Sequence, residues 1–212
     1  TAALTEVIRT KTERAVKKGT IGGLPPILTF VSLVDATVRT DATVRLLYDR
    51  LAPNGSELVV FDVNRSTVVQ TFVKRREKTR LDELLPGRKR AYGLSVVTNA
   101  GPGTRDVVER RTAAASSEAD ERPLGLSWPD GVYSLSHVAL PFPPDDPLFG
   151  NEPAGPGNPF HVRLGTLQPR GERAVLTVPV EQLMRLTWNP FFPYLEERVL
   201  AWAAIPEAAA TP

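Results

Sequence analysis

The chain has 212 residues, with 26 lysines and arginines against 24 aspartates and glutamates, and this near balance predicts no basic surface for nucleic acid. Cysteine is absent, which excludes disulfides, thiolate metal sites and cysteine nucleophiles. No apolar run reaches the roughly 18 residues that a transmembrane helix needs, and no signal-peptide pattern follows Thr1, so we expect a cytoplasmic globular protein.

The first predicted element is an amphipathic helix in the segment TAALTEVIRTKTERAVKKG. Its apolar residues fall on or near one face at helical spacing, namely Leu4, Val7, Ile8, Ala15 and Val16. Because the helical pattern starts at once and the first residue is not Met, we expect the chain to be part of a longer protein.

A strand–helix–strand unit is predicted next. Residues 27–34 are almost continuously apolar, which is typical of a strand buried on both faces. Thr40 or Asp41 is expected to cap a helix with apolar positions at Val44, Leu47, Tyr48 and Leu51. Residues 57–63, ELVVFDV, predict the second strand. This order predicts parallel strands joined by a crossover helix.

The middle of the chain is predicted to be more polar. Residues 64–90 include the basic run KRREKTR, which we interpret as a solvated helix and loop. Residues 91–99 predict a third strand, residues from about Thr104 to Ala115 a helix with apolar Val107 and Val108, and residues 116–123 a surface loop. The glycine-bearing turn before that helix offers a second interpretation, phosphate binding at a helix N-terminus, although it lacks a complete glycine motif.

The last part of the chain is rich in proline. GVYSLSH, residues 131–137, predicts a short fourth strand, and residues 173–180 predict a further one. Residues 141–171 lie between them and predict a long loop dense in Pro, Gly and Asp. The segment NPFFPYLEERVLAWAA predicts a closing helix, with Asn189 as its N-cap and Pro190 in its first turn.

This alternation of strands and helices predicts an α/β fold, with an open, mostly parallel sheet and helices on both faces. Function in such sheets lies at the carboxyl ends of the strands, where Asp35 and His137 each follow or close a strand. Each also has a structural interpretation. Asp35 can cap the next turn or helix, and His137 can bind a loop carbonyl. The second histidine, His161, sits in a loop without an evident scaffold.

Two groups of segments resemble a known family. PILTFVSLVDATV, DATVRLLYDRL and GSELVVFDVNR together resemble the C-terminal half of an α/β-hydrolase. YSLSHVALPFPPDDPLFG and the closing helix resemble the histidine loop and terminal helix of bacterial members near the esterase and lysophospholipase branch. The resemblance covers most of the chain and implies Asp35 as the acid and His137 as the base of a Ser–Asp–His triad, in the chain order of that fold.

The sequence departs from the family pattern in two places. Gly-x-Ser-x-Gly is absent, and the Gly-x-Ser pairs at Ser95 and Ser127 lack the second glycine and follow Asp35. An inserted strand–helix segment, about residues 64–129, separates Asp35 from His137. We therefore interpret residues 1–212 as the C-terminal portion of a single α/β-hydrolase domain, inactive alone, and expect an N-terminal half of the parent domain to supply the nucleophile.

The activity that the resemblance implies is hydrolysis of a carboxylic ester or lipid acyl ester through an acyl-enzyme. No cofactor and no metal are expected. Residues 21–23 and 142–149 are expected to border the acyl chain, for which three apolar side chains are suited: Leu140, Phe142 and Phe149. The alternative is a non-catalytic α/β module that binds a ligand or a partner through its proline-rich loop.

Overall fold

The computed structural model describes residues 2–33, 35, 39–66, 88–129, 138–150 and 188–203. Its helices are α1 (Ala2–Lys17), α2 (Thr40–Leu46) and α3 (Phe192–Ala203). Its strands are β1 (Leu28–Ser32), β2 (Glu57–Phe61), β3 (Gly93–Asn99), β4 (Asp106–Thr112) and β5 (Ala119–Ser127). The predictions of a first helix, of the first three strands and of a closing helix are confirmed. The strands expected at 131–137 and 173–180, residues 67–87 and residues 151–171 lie outside the described residues.

The five strands form one mixed sheet in the order β1-β2-β3-β4-β5. Strands β1, β2 and β3 are parallel, whereas β4 pairs antiparallel with both β3 and β5. The parallel unit predicted for β1, α2 and β2 is therefore confirmed. The expectation of a mostly parallel sheet is wrong, because two of the four pairings between the described strands are antiparallel.

A β-hairpin replaces the helix that was predicted from Thr104 to Ala115. Strand β4 occupies most of that segment, and β5 occupies most of the loop predicted at 116–123. The turn that was expected to start a helix instead joins β3 to β4. Gly103 adopts a left-handed φ of 81° in it, and the backbone N of Ala100 donates to Asp106 O at 2.8 Å.

Opposite charges that face each other explain why β4 and β5 are strands. Glu109 is opposite Arg122 and Arg110 is opposite Glu121 in the antiparallel register. Arg110 Nε donates to Glu121 Oε2 at 2.8 Å, and Arg122 Nη2 donates to Glu109 Oε2 at 3.1 Å. Such cross-strand pairs stabilise a sheet, but only when the two strands lie side by side.

Strand β2 separates two hydrophobic cores. Its successive side chains point to opposite faces of the sheet. Leu58 and Val60 pack in one core with Val44 of α2, while Val59 and Phe61 pack in the other core, which includes residues of α3. These four β2 side chains are at most 2% exposed. Helices therefore cover β2 on both faces.

Helix α3 begins as predicted. The backbone N of Phe191 donates to Asn189 Oδ1 at 2.8 Å, which confirms Asn189 as the capping residue. Phe191 also packs edge-on against Trp128, with ring centroids 4.9 Å apart. The backbone N of Asn189 donates to Phe142 O at 2.8 Å. This start therefore joins the helix both to the core and to the proline-rich loop.

Helix α2 begins differently from the prediction. Its N-cap position is Arg39, without a side-chain capping hydrogen bond, so the expected caps Thr40 and Asp41 are wrong. The buried Thr40 hydroxyl instead donates to Ser32 O at 3.0 Å. The Asp41 carboxylate pairs with Arg39 at 2.5 Å and with Arg45 at 2.9 Å. The first residue of α2 is thus used to attach the helix to the end of β1.

Buried polar contacts attach α3 to the sheet. The Tyr194 hydroxyl donates to Glu109 Oε1 of β4 at 2.8 Å, and Arg198 pairs with Glu57 of β2. Glu57 also pairs with Arg111 of β4 at 3.1 Å. Because each carboxylate belongs to a different strand, these contacts fix how α3 lies across the sheet.

The Glu109 carboxylate is 3% exposed. Burial alone would raise the pKa of Glu109, but hydrogen bonds from Ser95, Tyr194 and Arg122 outweigh that effect and lower it. A lowered pKa in the folded state means that Glu109 stabilises the fold above its unfolded pKa. This stabilisation is lost as the pH falls through the folded pKa.

We predict that Tyr194→Phe lowers the free energy of unfolding at neutral pH by about 1–2 kcal/mol, because a buried carboxylate loses a hydrogen bond. The same substitution should weaken the acid dependence of stability that Glu109 contributes. Urea denaturation at neutral and acidic pH measures both effects.

Tyr92→Phe is the matched control, since the hydrogen bond from the Tyr92 hydroxyl to the Asp49 carboxylate is long, at 3.4 Å. It should cost less stability than Tyr194→Phe. Equal losses for the two variants, with an unchanged acid dependence, would contradict the role assigned to Glu109.

Candidate functional site

The first predicted site residue, Asp35, follows the carboxyl end of β1. Its backbone N donates to Ser32 O at 3.1 Å, which closes a tight turn at the end of the strand. Asp35 is half-buried there. Since α2 begins at Thr40 with Arg39 in the N-cap position, the interpretation of Asp35 as the cap of this helix is wrong.

The second predicted site residue, His137, lies outside the described residues, but the two residues that follow it do not. Val138 is fully buried and belongs to the core on the α3 side of the sheet. The backbone N of Ala139 donates to Ser32 Oγ at 3.1 Å. This contact joins the segment directly after His137 to the strand directly before Asp35. The pairing of the two side chains themselves stays a prediction.

The proline-rich loop that follows is built around Asp146. Its Oδ1 accepts hydrogen bonds from the backbone N of Leu148 at 2.9 Å and of Phe149 at 2.8 Å. Its backbone O accepts one from Gly150 N at 2.9 Å. The rings of Phe142 and Phe149 lie with their centroids 4.2 Å apart. Two of the apolar side chains expected beside an acyl chain are thus adjacent.

The other segment expected beside an acyl chain is a 3₁₀ turn, Ile21–Gly23. Ile21 packs against the core on the α2 side of the sheet. Whether this turn and the two phenylalanines border one pocket stays a prediction. His161 and the rest of the predicted loop lie outside the described residues.

A buried polar cluster that the sequence pattern does not predict lies at the carboxyl ends of β2 and β3, and we call it the strand-end cluster. It comprises Asp62, Asn64, Arg65, Thr98 and Asn99, of which all but Arg65 are at most 5% exposed. The sequence signal for this cluster was the polar residues that directly follow the strand segments ELVVF and SVV. The sequence alone does not show that the two strand ends face each other.

Asp62 is the centre of the strand-end cluster, and its side chain is fully buried. The Thr98 hydroxyl donates to Asp62 Oδ2 at 2.7 Å, and Arg65 Nη2 donates to Oδ1 at 3.1 Å. The backbone N of Val63 also donates to Oδ1, at 2.7 Å. These contacts make Asp62 a structural anchor for the chain that leaves β2.

Asn99 completes the cluster from β3. Its Nδ2 donates to Asn64 Oδ1 at 3.3 Å and to Thr104 O at 2.7 Å, and its Oδ1 accepts from Arg65 N at 2.6 Å. The cluster thus binds the chain after β2 to the β3–β4 turn.

The phosphate-binding interpretation of the turn after β3 is wrong, because a strand follows the turn and no helix N-terminus is present there. Among the residues that the structure describes, no group of three or more His, Asp or Glu side chains could hold a metal ion. In the same part of the chain, every helix is too short or too polar to cross a membrane.

Comparisons of the chain with protein family models, with curated proteins and with solved structures found no match. The functional assignment therefore depends on the residues of this chain and their geometry.

We predict that Asp62→Ala lowers the free energy of unfolding by about 3 kcal/mol, since it leaves the Arg65 guanidinium and the Thr98 hydroxyl without their buried acceptor. Asp41→Ala is the control, because Asp41 pairs with arginine side chains that are 40% and 67% exposed. This control should cost less than about 1 kcal/mol. Chemical denaturation measures both, and similar losses would contradict the structural role of Asp62.

We also predict that Gly150→Ala distorts the proline-rich loop. A Cβ at this position would lie 2.4 Å from Asp146 O and 2.5 Å from Pro144 O, both backbone atoms that cannot move aside alone. The expected result is a loss of about 1–3 kcal/mol and faster amide hydrogen exchange at Leu148 and Phe149.

Gly23→Ala is the control for this substitution, because nothing lies within 4 Å of a Cβ built on Gly23. It should leave the exchange of the loop unchanged. Wild-type exchange in the loop of Gly150→Ala would show that the loop is not held as tightly as the contacts indicate.

Proposed function

We propose that this chain is the C-terminal part of an α/β-hydrolase that cleaves carboxylic esters through an acyl-serine, with Asp35 as the triad acid and His137 as the base. The observation that carries the proposal is the hydrogen bond from Ala139 N to Ser32 Oγ. It joins two segments, far apart in sequence, to which the family resemblance assigns the acid and the base.

The topology of β1, α2 and β2 supports the same assignment. β1 and β2 are parallel, so their carboxyl ends lie at one edge of the sheet, where function is found in open α/β folds. Asp35 follows β1 at that edge, and Ala139 contacts β1 at the same end. A carboxylate and an imidazole approaching from these two segments would meet outside the strand end.

The proposed reaction uses His137 twice. The imidazole takes the proton from the serine hydroxyl as the serine oxygen attacks the ester carbonyl, and it gives that proton to the departing alcohol. His137 then takes a proton from water, which attacks the acyl-serine and releases the carboxylic acid while the proton returns to serine. Asp35 would hold the imidazole in the correct tautomer and stabilise its cationic form.

The substrate we propose is an ester with an apolar acyl or lipid-like group. The adjacent rings of Phe142 and Phe149 support this choice, as does Leu148, which is 41% exposed. They belong to a loop that Asp146 holds together and that follows His137 in the sequence. In this proposal, apolar side chains that follow His137 so closely in the sequence would contact the acyl group.

The nucleophile in this proposal comes from an N-terminal half of the parent domain, which would pair along β1. The two edges of the described sheet differ in a way that supports this. β5 carries Asp120, Glu121, Arg122 and Pro123, which protect an edge against further pairing. β1 reads LTFVS, with no charge and no proline, and pairs with one strand among the described residues.

The absence of Gly-x-Ser-x-Gly from these 212 residues also fits the alternative, a non-catalytic α/β module that binds a ligand or partner. In that case Asp35 and His137 would belong to separate hydrogen-bond networks. Labelling by a fluorophosphonate probe, which reacts only with an activated serine, distinguishes the two.

We predict that a protein encoded by this chain together with its upstream sequence is labelled by a fluorophosphonate, and that the 212-residue chain alone is not. His137→Ala and Asp35→Asn should each reduce the labelling rate by at least about a thousandfold, as expected for loss of a triad member. Gel fluorescence over time measures the rates.

His161→Ala is the matched control, since it removes the only other histidine. It should keep the wild-type labelling rate. Absence of labelling in the longer protein would reject the hydrolase proposal, and loss of labelling in His161→Ala with retention in His137→Ala would reject the assignment of the base.

A further inference from the structure

Ser32 is a buried polar residue at the end of an otherwise largely apolar strand. It is 1% exposed, in a position where a doubly covered strand favours Val, Ile or Leu. A hydroxyl in such a position needs a hydrogen-bond partner. Its partner is the backbone N of Ala139, which donates to Ser32 Oγ at 3.1 Å. Without this acceptor the Ala139 amide would lose its hydrogen bond.

The backbone carbonyl of Ser32 also accepts hydrogen bonds. Leu33 N donates to Phe61 O of β2 at 2.8 Å, so the Ser32 carbonyl in the same planar peptide points away from β2. There it accepts hydrogen bonds from Asp35 N at 3.1 Å and from the Thr40 hydroxyl at 3.0 Å. It therefore closes the turn that carries Asp35 and attaches the first residue of α2.

We infer that Ser32 is a positioning residue that sets the geometry between Asp35 and His137, with its carbonyl holding the turn of the acid and its hydroxyl holding the segment after the base. This inference rests on the proposed function. A displacement of about 1 Å between catalytic groups can cost about a hundredfold in rate, so a residue that holds both segments affects catalysis without contacting substrate.

The test uses the longer protein that carries the proposed serine, labelled with a fluorophosphonate at saturating probe concentration. Ser32→Ala removes the hydroxyl but leaves the carbonyl. We expect its maximal labelling rate to fall by about tenfold to a hundredfold, with the probe concentration for half-maximal rate unchanged, since alignment rather than binding is lost. Ser32→Thr restores a hydroxyl and should recover most of the rate.

Ser95→Ala is the matched control for general destabilisation. Ser95 is a buried serine of β3, 3% exposed, and its hydroxyl serves Glu109 rather than the segments of Asp35 and His137. The Ser95→Ala variant should have a melting temperature lowered to a similar extent as that of Ser32→Ala, but it should keep the wild-type labelling rate.

Three results would overturn the inference. One is a wild-type maximal rate in folded Ser32→Ala, and another is an equal loss of rate in Ser95→Ala. The third is absence of labelling in the unsubstituted protein, which would reject the proposed function as well. If Ser32→Ala does not fold, Ser32→Cys takes its place, because a thiol keeps the volume but is a weak acceptor.

Discussion

The burial of β2 on both faces is the constraint on which the rest of the structure depends. Its four residues from Leu58 to Phe61 are almost wholly inaccessible, and they alternate between two cores. Covering both faces requires a layer on each side, which α2 and α3 supply. It also requires a hydrogen-bonded neighbour at each edge, because backbone groups buried away from water must be paired. β1 and β3 meet that requirement as parallel neighbours.

A carboxylate stands at each end of this buried strand, and each is paired with arginine. Glu57 begins β2 and binds Arg198 of α3 and Arg111 of β4. Asp62 follows β2 and binds Arg65. The Glu57 pairs reach other elements and therefore oppose a slip of β2 along its neighbours, and at the other end the Thr98 hydroxyl of β3 does so by donating to Asp62 Oδ2 at 2.7 Å. These contacts fix the position of both ends of β2 in the sheet. Ser32, at the carboxyl end of β1, pairs with Phe61, the residue before Asp62.

The sequence predicts correctly those helices and strands whose formation depends on residues close together along the chain. The apolar runs of β1 and β2 and the Asn189 cap of α3 are local patterns, and their elements were predicted. The local pattern of β4 predicts a helix, because its partners Glu121 and Arg122 lie on another strand and only the hairpin register pairs them with Arg110 and Glu109. The strand-end cluster was missed for the same reason, since its contacts join residues more than 30 positions apart. For the candidate site, the sequence supplied Asp35 and His137 but not the Ser32 contact that links their segments.

The two halves of the sheet differ in what they can contribute to a reaction. The antiparallel half, β4 and β5, has its charges engaged in cross-strand pairs and ends in an edge that is protected by charge and proline. Among the described residues, the parallel half ends in β1, which carries no charge and no proline and pairs there with β2 alone. Asp35 and Ala139 lie at the carboxyl end of β1. In the proposed hydrolase, a serine that arrives from the β1 side would reach this strand end without crossing the sheet, because β1 is the outermost described strand on that side.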